Sequence, residues 1–254
     1  MLGLGNSLST TVAPSGGFEL TDIGGLDMWL KYNEGFVSGI ENGELIARWE
    51  DSSGNDNHAV QEVEDFKPSY FNGSADFNIE GGNRDKLGFT PVENVKGTIF
   101  MVIEPDDDAS MTLFGYSRSS SVFYRINQSA SIEYRIRKGS TNSYDTSDID
   151  TDAEPFVNSS TPMLIIFNQK GDLNLDIHTG GNGNDSIHQH DDYGVDAAGN
   201  GTALKIDQIG TQGASSNPFN GRLLELAIYN SPLTAEIILN IKQNIADRTG
   251  VNLG

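Results

Sequence analysis

The chain has 254 residues and no cysteine, and its 36 Asp and Glu against 16 Lys and Arg leave a formal charge of −20 at neutral pH. Without a thiol there is no disulfide framework, zinc ribbon or cysteine nucleophile, and a surface this anionic repels phosphate backbones, which argues against a nucleic-acid partner. The length suits a single β-sandwich, and 29 glycines point to many turns.

Residues 1–17 (MLGLGNSLSTTVAPSGG) lack the basic start and apolar run of a secretory signal. No stretch reaches the roughly 18 consecutive apolar residues of a membrane span. Synthesis in the cytoplasm without a membrane partner is therefore expected. Leu2, Leu4 and Leu8 stand among Gly, Asn, Ser and Thr ahead of Pro14-Ser15-Gly16-Gly17. Such a lead is either frayed or ordered by docking its leucines on another protein. The chain accordingly divides into a docking or flexible segment over 1–25 and one domain over 26–254.

From Leu26 onward the signals are strands. Residues 97–103 (GTIFMVI) and 163–167 (MLIIF) are short apolar runs rich in β-branched residues, as in strands buried on both faces. Residues 131–137 and 172–178 alternate instead. In the second of these, Asp172, Asn174, Asp176 and His178 share one face. Weaker strands are expected at 45–49, 58–61, 113–116, 122–127, 203–208 and 222–229. Polar stretches at 142–161 and 180–201 read as long loops, a length that tends to be functional or mobile. One helix closes the chain: Thr234 is placed to cap it, Ile237, Ile238, Ile241 and Ile245 follow helical spacing, and Gly250 offers a left-handed stop. That helix is expected to cover an end or edge of the sandwich, with Asn240, Gln243, Asn244 and Asp247 toward solvent.

Within 49–59, Trp49 is positioned to bury a large aromatic surface where a strand ends. Asp51, Ser53 and Asn55 suit side-chain to backbone hydrogen bonds that close a turn, with Gly54 taking positive φ. This stretch, Trp49-Glu50-Asp51-Ser52-Ser53-Gly54-Asn55-Asp56-Asn57-His58-Ala59 followed by Pro68-Ser69-Tyr70, resembles the W-x-D-x-S-G-N-x-N-x-A then P-x-Y signature of concanavalin A-like (laminin-G-type) jelly rolls. Residues 219–230 (FNGRLLELAIYN) are similar to that family's last strand, and Ser231-Pro232-Leu233-Thr234 fits its link into a terminal helix. The resemblance implies an all-β concanavalin A-like jelly-roll sandwich with one C-terminal amphipathic helix. The opening Met1-Leu2-Gly3-Leu4-Gly5-Asn6-Ser7 resembles structural proteins of marine tailed bacteriophages. That implies a virion component, a head decoration or tail appendage in many copies, its N-terminal segment bound to other virion proteins.

Glycosidases of this fold resemble one another in setting E-x-D-x-(x)-E along one strand, because hydrolysis needs two carboxylates across the scissile bond. No strand here carries that pattern, so an enzyme is not expected. The row Asp172, Asn174, Asp176 and His178 has two readings: a sugar-binding face, helped by Tyr144 and Tyr193 in the long loops, or the wet side of an antiparallel strand. The first would make the protein a glycan-binding adhesion module.

Calcium is the one cofactor the residues raise. Asp172-x-Asn174-x-Asp176 begins like an EF-hand, but Ile177 and Gly183 occupy the required glycine and glutamate positions. An irregular oxygen cage from Asp145, Asp148, Asp150 and Asp152 stays open beside a plain hydrated loop, and the resemblance implies calcium near a loop edge. His188-x-His190 with Asp191 and Asp192 is a weaker metal cluster, and His58 reads as a turn residue.

Overall fold

The computed structural model describes residues 18–79, 84–94, 97–106, 110–128, 132–138, 143–146, 161–170, 175–181, 184–190, 204–211 and 217–253. Strands are numbered β1–β16 in chain order. Sheet A runs β14 (Asn184–His190), β13 (Leu175–Gly181), β12 (Met163–Gln169), β7 (Gly97–Pro105), β16 (Gly221–Tyr229), β5 (Ser74–Phe77) and β4 (Ser69–Phe71), with β1 (Leu26–Leu30) also paired to β16. Sheet B runs β11 (Ser143–Thr146), β10 (Ile132–Lys138), β9 (Ser119–Gln128), β8 (Met111–Tyr116), β15 (Leu204–Ile209), β6 (Leu87–Asn94), β3 (Ala59–Val60) and β2 (Arg48–Trp49). The strand pairs are antiparallel throughout, so the architecture is the expected β-sandwich with one C-terminal helix.

Between the sheets lies the main core. Ile99, Met101 and Ile103 of β7, Met163, Ile165 and Phe167 of β12, and Leu226 and Ile228 of β16 meet Trp49, Leu87, Phe114, Tyr124, Ile206 and Ile209 from sheet B. The intervening residues of the same strands point the other way. Phe100, Val102, Leu164, Ile166, Ala227 and Tyr229 form a second core with Ile238, Ile241, Ile245 and Ala246 of α1 (Ala235–Thr249). The helix therefore covers the outer face of sheet A and not an end or edge of the sandwich. The reason is in β7 and β12: strands apolar on both faces need a cover on each. The molecule has three layers, sheet B, sheet A and helix.

The helix begins at Thr234, whose side chain accepts from the Ile237 N–H, and stops at Gly250 in the left-handed conformation, φ 79°. Its polar side is not all solvated: Asn244 is half-buried and its Nδ2 donates to the Phe18 carbonyl at 2.7 Å. Leu20 is buried in the same layer, and the Tyr229 hydroxyl donates to its carbonyl at 3.0 Å. The packed domain thus takes in residues 18–25 ahead of the boundary expected at 26.

Two of the expected loops contain strands, β11 within 142–161 and β14 within 180–201. Both are edge strands and both are polar in sequence. An edge exposes one row of backbone groups to solvent, and polar residues there protect against pairing with another chain. Pairing with β10 and β13 fixes them where intrinsic preference would not.

Candidate functional site

The turn after β2 gathers a connected set of polar side chains. The Asp51 carboxylate accepts from the Trp29 N–H at 2.7 Å, the Ser53 N–H at 2.9 Å, the Ser53 hydroxyl at 2.7 Å and the Asn57 N–H at 3.0 Å. His58 Nδ1 accepts from the Asp51 N–H at 3.0 Å. Asn55 Nδ2 and Asn57 Nδ2 reach the Leu26 and Asp27 carbonyls at 2.7 Å each, and Gly54 has φ 88°. Trp49 is fully buried and its Nε1 donates to the Glu34 carbonyl at 2.8 Å. These bonds staple the turn to the start of β1, across the two sheets. The side chains are spent on the framework, so the cluster is a structural joint. Burial raises the Asp27 carboxyl above its usual range, partly opposed by the hydrogen bond from Asn230.

The row 172–178 divides. Asp172 and Asn174 lie outside the described residues, whereas Asp176 and His178 stand on β13 at 8% and 5% exposure. Their face is not the wet side of a strand, because β13 lies inside sheet A and this is the face that the third layer covers. Asn168 of β12 pairs in register with Asp176, and its side chain takes part in the anchor of the helix link: Asn168 Nδ2 donates to the Leu233 carbonyl at 3.1 Å, and the Leu233 N–H donates to Asn168 Oδ1 at 3.1 Å. Lys170 Nζ pairs with Asp176 Oδ2 at 2.7 Å. Tyr144 is on β11 in the other sheet, so the structure does not bring it to Asp176 and His178. Tyr193 lies outside the described residues, as do Leu2, Leu4 and Leu8.

Of the four aspartates named as a cation cage, Asp145 pairs with Arg135 in the β10–β11 register, and Asp148, Asp150 and Asp152 lie outside the described residues. His188 and His190 are two apart on β14, beyond which Asp191 and Asp192 are likewise not described. Among the described residues no group of three His, Asp or Glu is arranged to hold a metal ion.

Several carboxylates that charge alone would place on the surface are buried in pairs. A bulge in β16 between Leu223 and Glu225 puts Leu224 and Glu225 in succession toward the helix layer. Glu225, 1% exposed, accepts from Trp29 Nε1 at 2.8 Å and is paired with Arg248 of α1, whose guanidinium also lies 5.3 Å from the Trp29 ring. On the same sheet, Asp76, Arg222 and Glu104 stand side by side across β5, β16 and β7, with Arg222 paired to Glu104 and over the Phe71 ring at 5.1 Å. Burial, with Asp106 and Glu104 nearby, raises the Asp76 carboxyl against the opposing pull of Arg222 and a bond to Asn78. On sheet B, Asp207 accepts from both the N–H and the hydroxyl of Ser117 in the β8–β9 turn. Each of these carboxylates has a basic or hydrogen-bonding partner.

Among the described residues, Gln208 Nε2 on β15 and Thr211 Oγ1 just after it are buried without such a partner. The sequence marks 203–208 only as a weak strand. What singles out Gln208 is its sheet neighbours, which are far away in the chain.

No family model and no curated protein sequence matches this chain. Solved structures do. Domain 4 of AbnA, an extracellular arabinanase of Geobacillus stearothermophilus, in complex with arabinotriose, superposes with a TM-score of 0.51 at 14% identity, over 88% of this chain and 98% of that one. An arabinofuranosidase complexed with arabinofuranosyl-α-1,2-xylobiose gives 0.55 at 13% identity over 89% of this chain, which spans 59% of the enzyme. The binding domain of botulinum neurotoxin DC, in complex with rat synaptotagmin II, gives 0.54 at 13% identity over 89% of this chain and 52% of that one. The likeness is one of fold. It shows the β-sandwich architecture.

Proposed function

We propose that this chain is a non-catalytic carbohydrate-binding β-sandwich. The observation that carries the reading is the end-to-end correspondence, 88% of this chain against 98% of a single domain held with arabinotriose. The match is to one complete domain of an arabinanase, held with arabinotriose. An array of neutral pentose and hexose oligosaccharides, probed with the full chain with and without a calcium chelator, tests the reading. Binding supports it, loss with chelator adds a calcium requirement, and a blank array under both conditions removes it. Release of reducing sugar from the same oligosaccharides would instead make the chain a hydrolase.

A virion setting is compatible with this function and would supply its context: many copies on a phage particle, made in the host cytoplasm, with the sandwich outward and residues 1–17 seated on neighbouring virion proteins. Its support is the resemblance of Met1–Ser7 to phage structural proteins. Mass spectrometry of purified particles tests it, and incorporation that survives deletion of residues 2–17 would count against the docking role.

A further inference from the structure

The outer face of sheet B carries a row that the strand registers place in line: Val60 on β3, Gly88 on β6, Gln208 on β15 and Gly115 on β8. Leu87, Phe89, Ile209 and Phe114, their chain neighbours, are buried in the main core, so Gly88, Gln208 and Gly115 face away from it. Gln208 therefore stands between two glycines. The positions directly opposite it on both neighbouring strands carry no side chain. Yet Gln208 is only 5% exposed, and its buried Nε2 has no acceptor among the described residues. A buried amide without a partner costs about 1–3 kcal/mol, and a glycine inside a strand marks a bulge, a bend or a place where a ligand or another backbone approaches closely. Thr211, 2% exposed, adds a second partnerless hydroxyl where the chain runs on beside β8, the Gly210 N–H having bonded the Leu113 carbonyl at 3.0 Å.

We propose that this glycine-walled slot is the sugar-binding site, with Gln208 Nε2 donating to a hydroxyl of a neutral saccharide. The proposal rests on the carbohydrate-binding reading above and assigns it a place. Neutral sugars fit because the position offers an uncharged amide, the adjacent Asp207 carboxylate is occupied by Ser117, and the chain's charge of −20 repels acidic ones. The test pairs two variants of the full chain on the neutral-oligosaccharide array. In Gly88→Ala the added methyl meets only the Asp207 and Val60 carbonyls, at 3.7 Å each, and the residue lies outside the left-handed region, so the fold tolerates it while the slot is narrowed. In Gln208→Met the idle donor is removed at similar volume. Both should weaken binding roughly tenfold or more, and Gln208→Met should hold or raise Tm, because it deletes an unsatisfied group. Wild-type binding with both variants within twofold overturns the slot and leaves the carbohydrate reading standing. A blank wild-type array overturns both. A Gln208→Met chain that loses Tm while Gly88→Ala binds normally makes Gln208 structural and ends the proposal; if Gln208→Met does not fold, Gly88→Ala decides alone.

Discussion

Replacing Arg248 by alanine should destabilise this domain far more than the loss of an ordinary surface ion pair. Glu225 is 1% exposed beneath α1, and its donors are Trp29 Nε1 and the Arg248 guanidinium. Without Arg248, a carboxylate stays buried with one neutral donor. Breaking a buried pair from one side costs about 3–5 kcal/mol, which for a domain of this size lowers Tm by roughly 6–20 °C. The cation over the Trp29 ring, at 5.3 Å, and the contact with Asn244 are lost with it. Removing both charges is different. In Glu225→Gln/Arg248→Met the amide still accepts from Trp29, and the methionine fills the space of the arginine stem, so more than half of the loss should return. Urea unfolding, followed by far-ultraviolet dichroism and tryptophan fluorescence, measures both variants and their coupling. A loss below about 1 kcal/mol for Arg248→Ala would put the pair in the class of solvated surface bridges. The helix would then not seal the outer face of sheet A as described.

Asp51→Ala should cost at least about 3 kcal/mol by the same unfolding measurement, since one carboxylate serves four donors and leaves the buried ones unpaired. Asp76→Asn should raise Tm at pH 7. The folded-state pKa of Asp76 is raised above 3.8, so its contribution to stability is full below that value and is lost as pH rises through the folded pKa. The asparagine gain should therefore vanish in melts at pH 3, and an equal gain at both pH values would refute the cause. Gly250→Ala should lower stability by about 1 kcal/mol, because the helix stop sits at φ 79° where a Cβ is disfavoured although nothing crowds it.

What could be read from the sequence follows how local each signal is. β7 and β12 are unbroken runs of β-branched and aromatic residues, and α1 carries its cap, its isoleucine spacing and its stop within a few residues of one another. The Asx turn is local too: Asp51, Ser53, Asn55 and Gly54 bond largely among themselves and to the start of β1. Edge strands β11 and β14 are set by a neighbour and carry no comparable run. Alternation sets Asp176 and His178 on one face of β13, but it does not say which face is dry. Only the third layer settles that. Glu225 is hidden for another reason, as the one-residue bulge after Leu223 reverses the inside and outside of everything beyond it.

The layers also narrow where recognition can occur. One face of sheet A is committed to the main core and much of the other to α1, with Asn168, Thr98 and Leu233 locking the helix link in place. Polar groups on that covered face serve attachment: Glu225 holds the helix, Arg222 holds Glu104, and Tyr229 holds residue 20. Sheet B has the main core on one side only. Its outer face holds Gln208, a buried donor that the fold leaves without an acceptor, set where the two adjoining strands contribute glycine. A framework group explains itself by its partner. Among the described residues Gln208 Nε2 has none, and that is the ground on which the sugar hydroxyl proposed above is assigned to it.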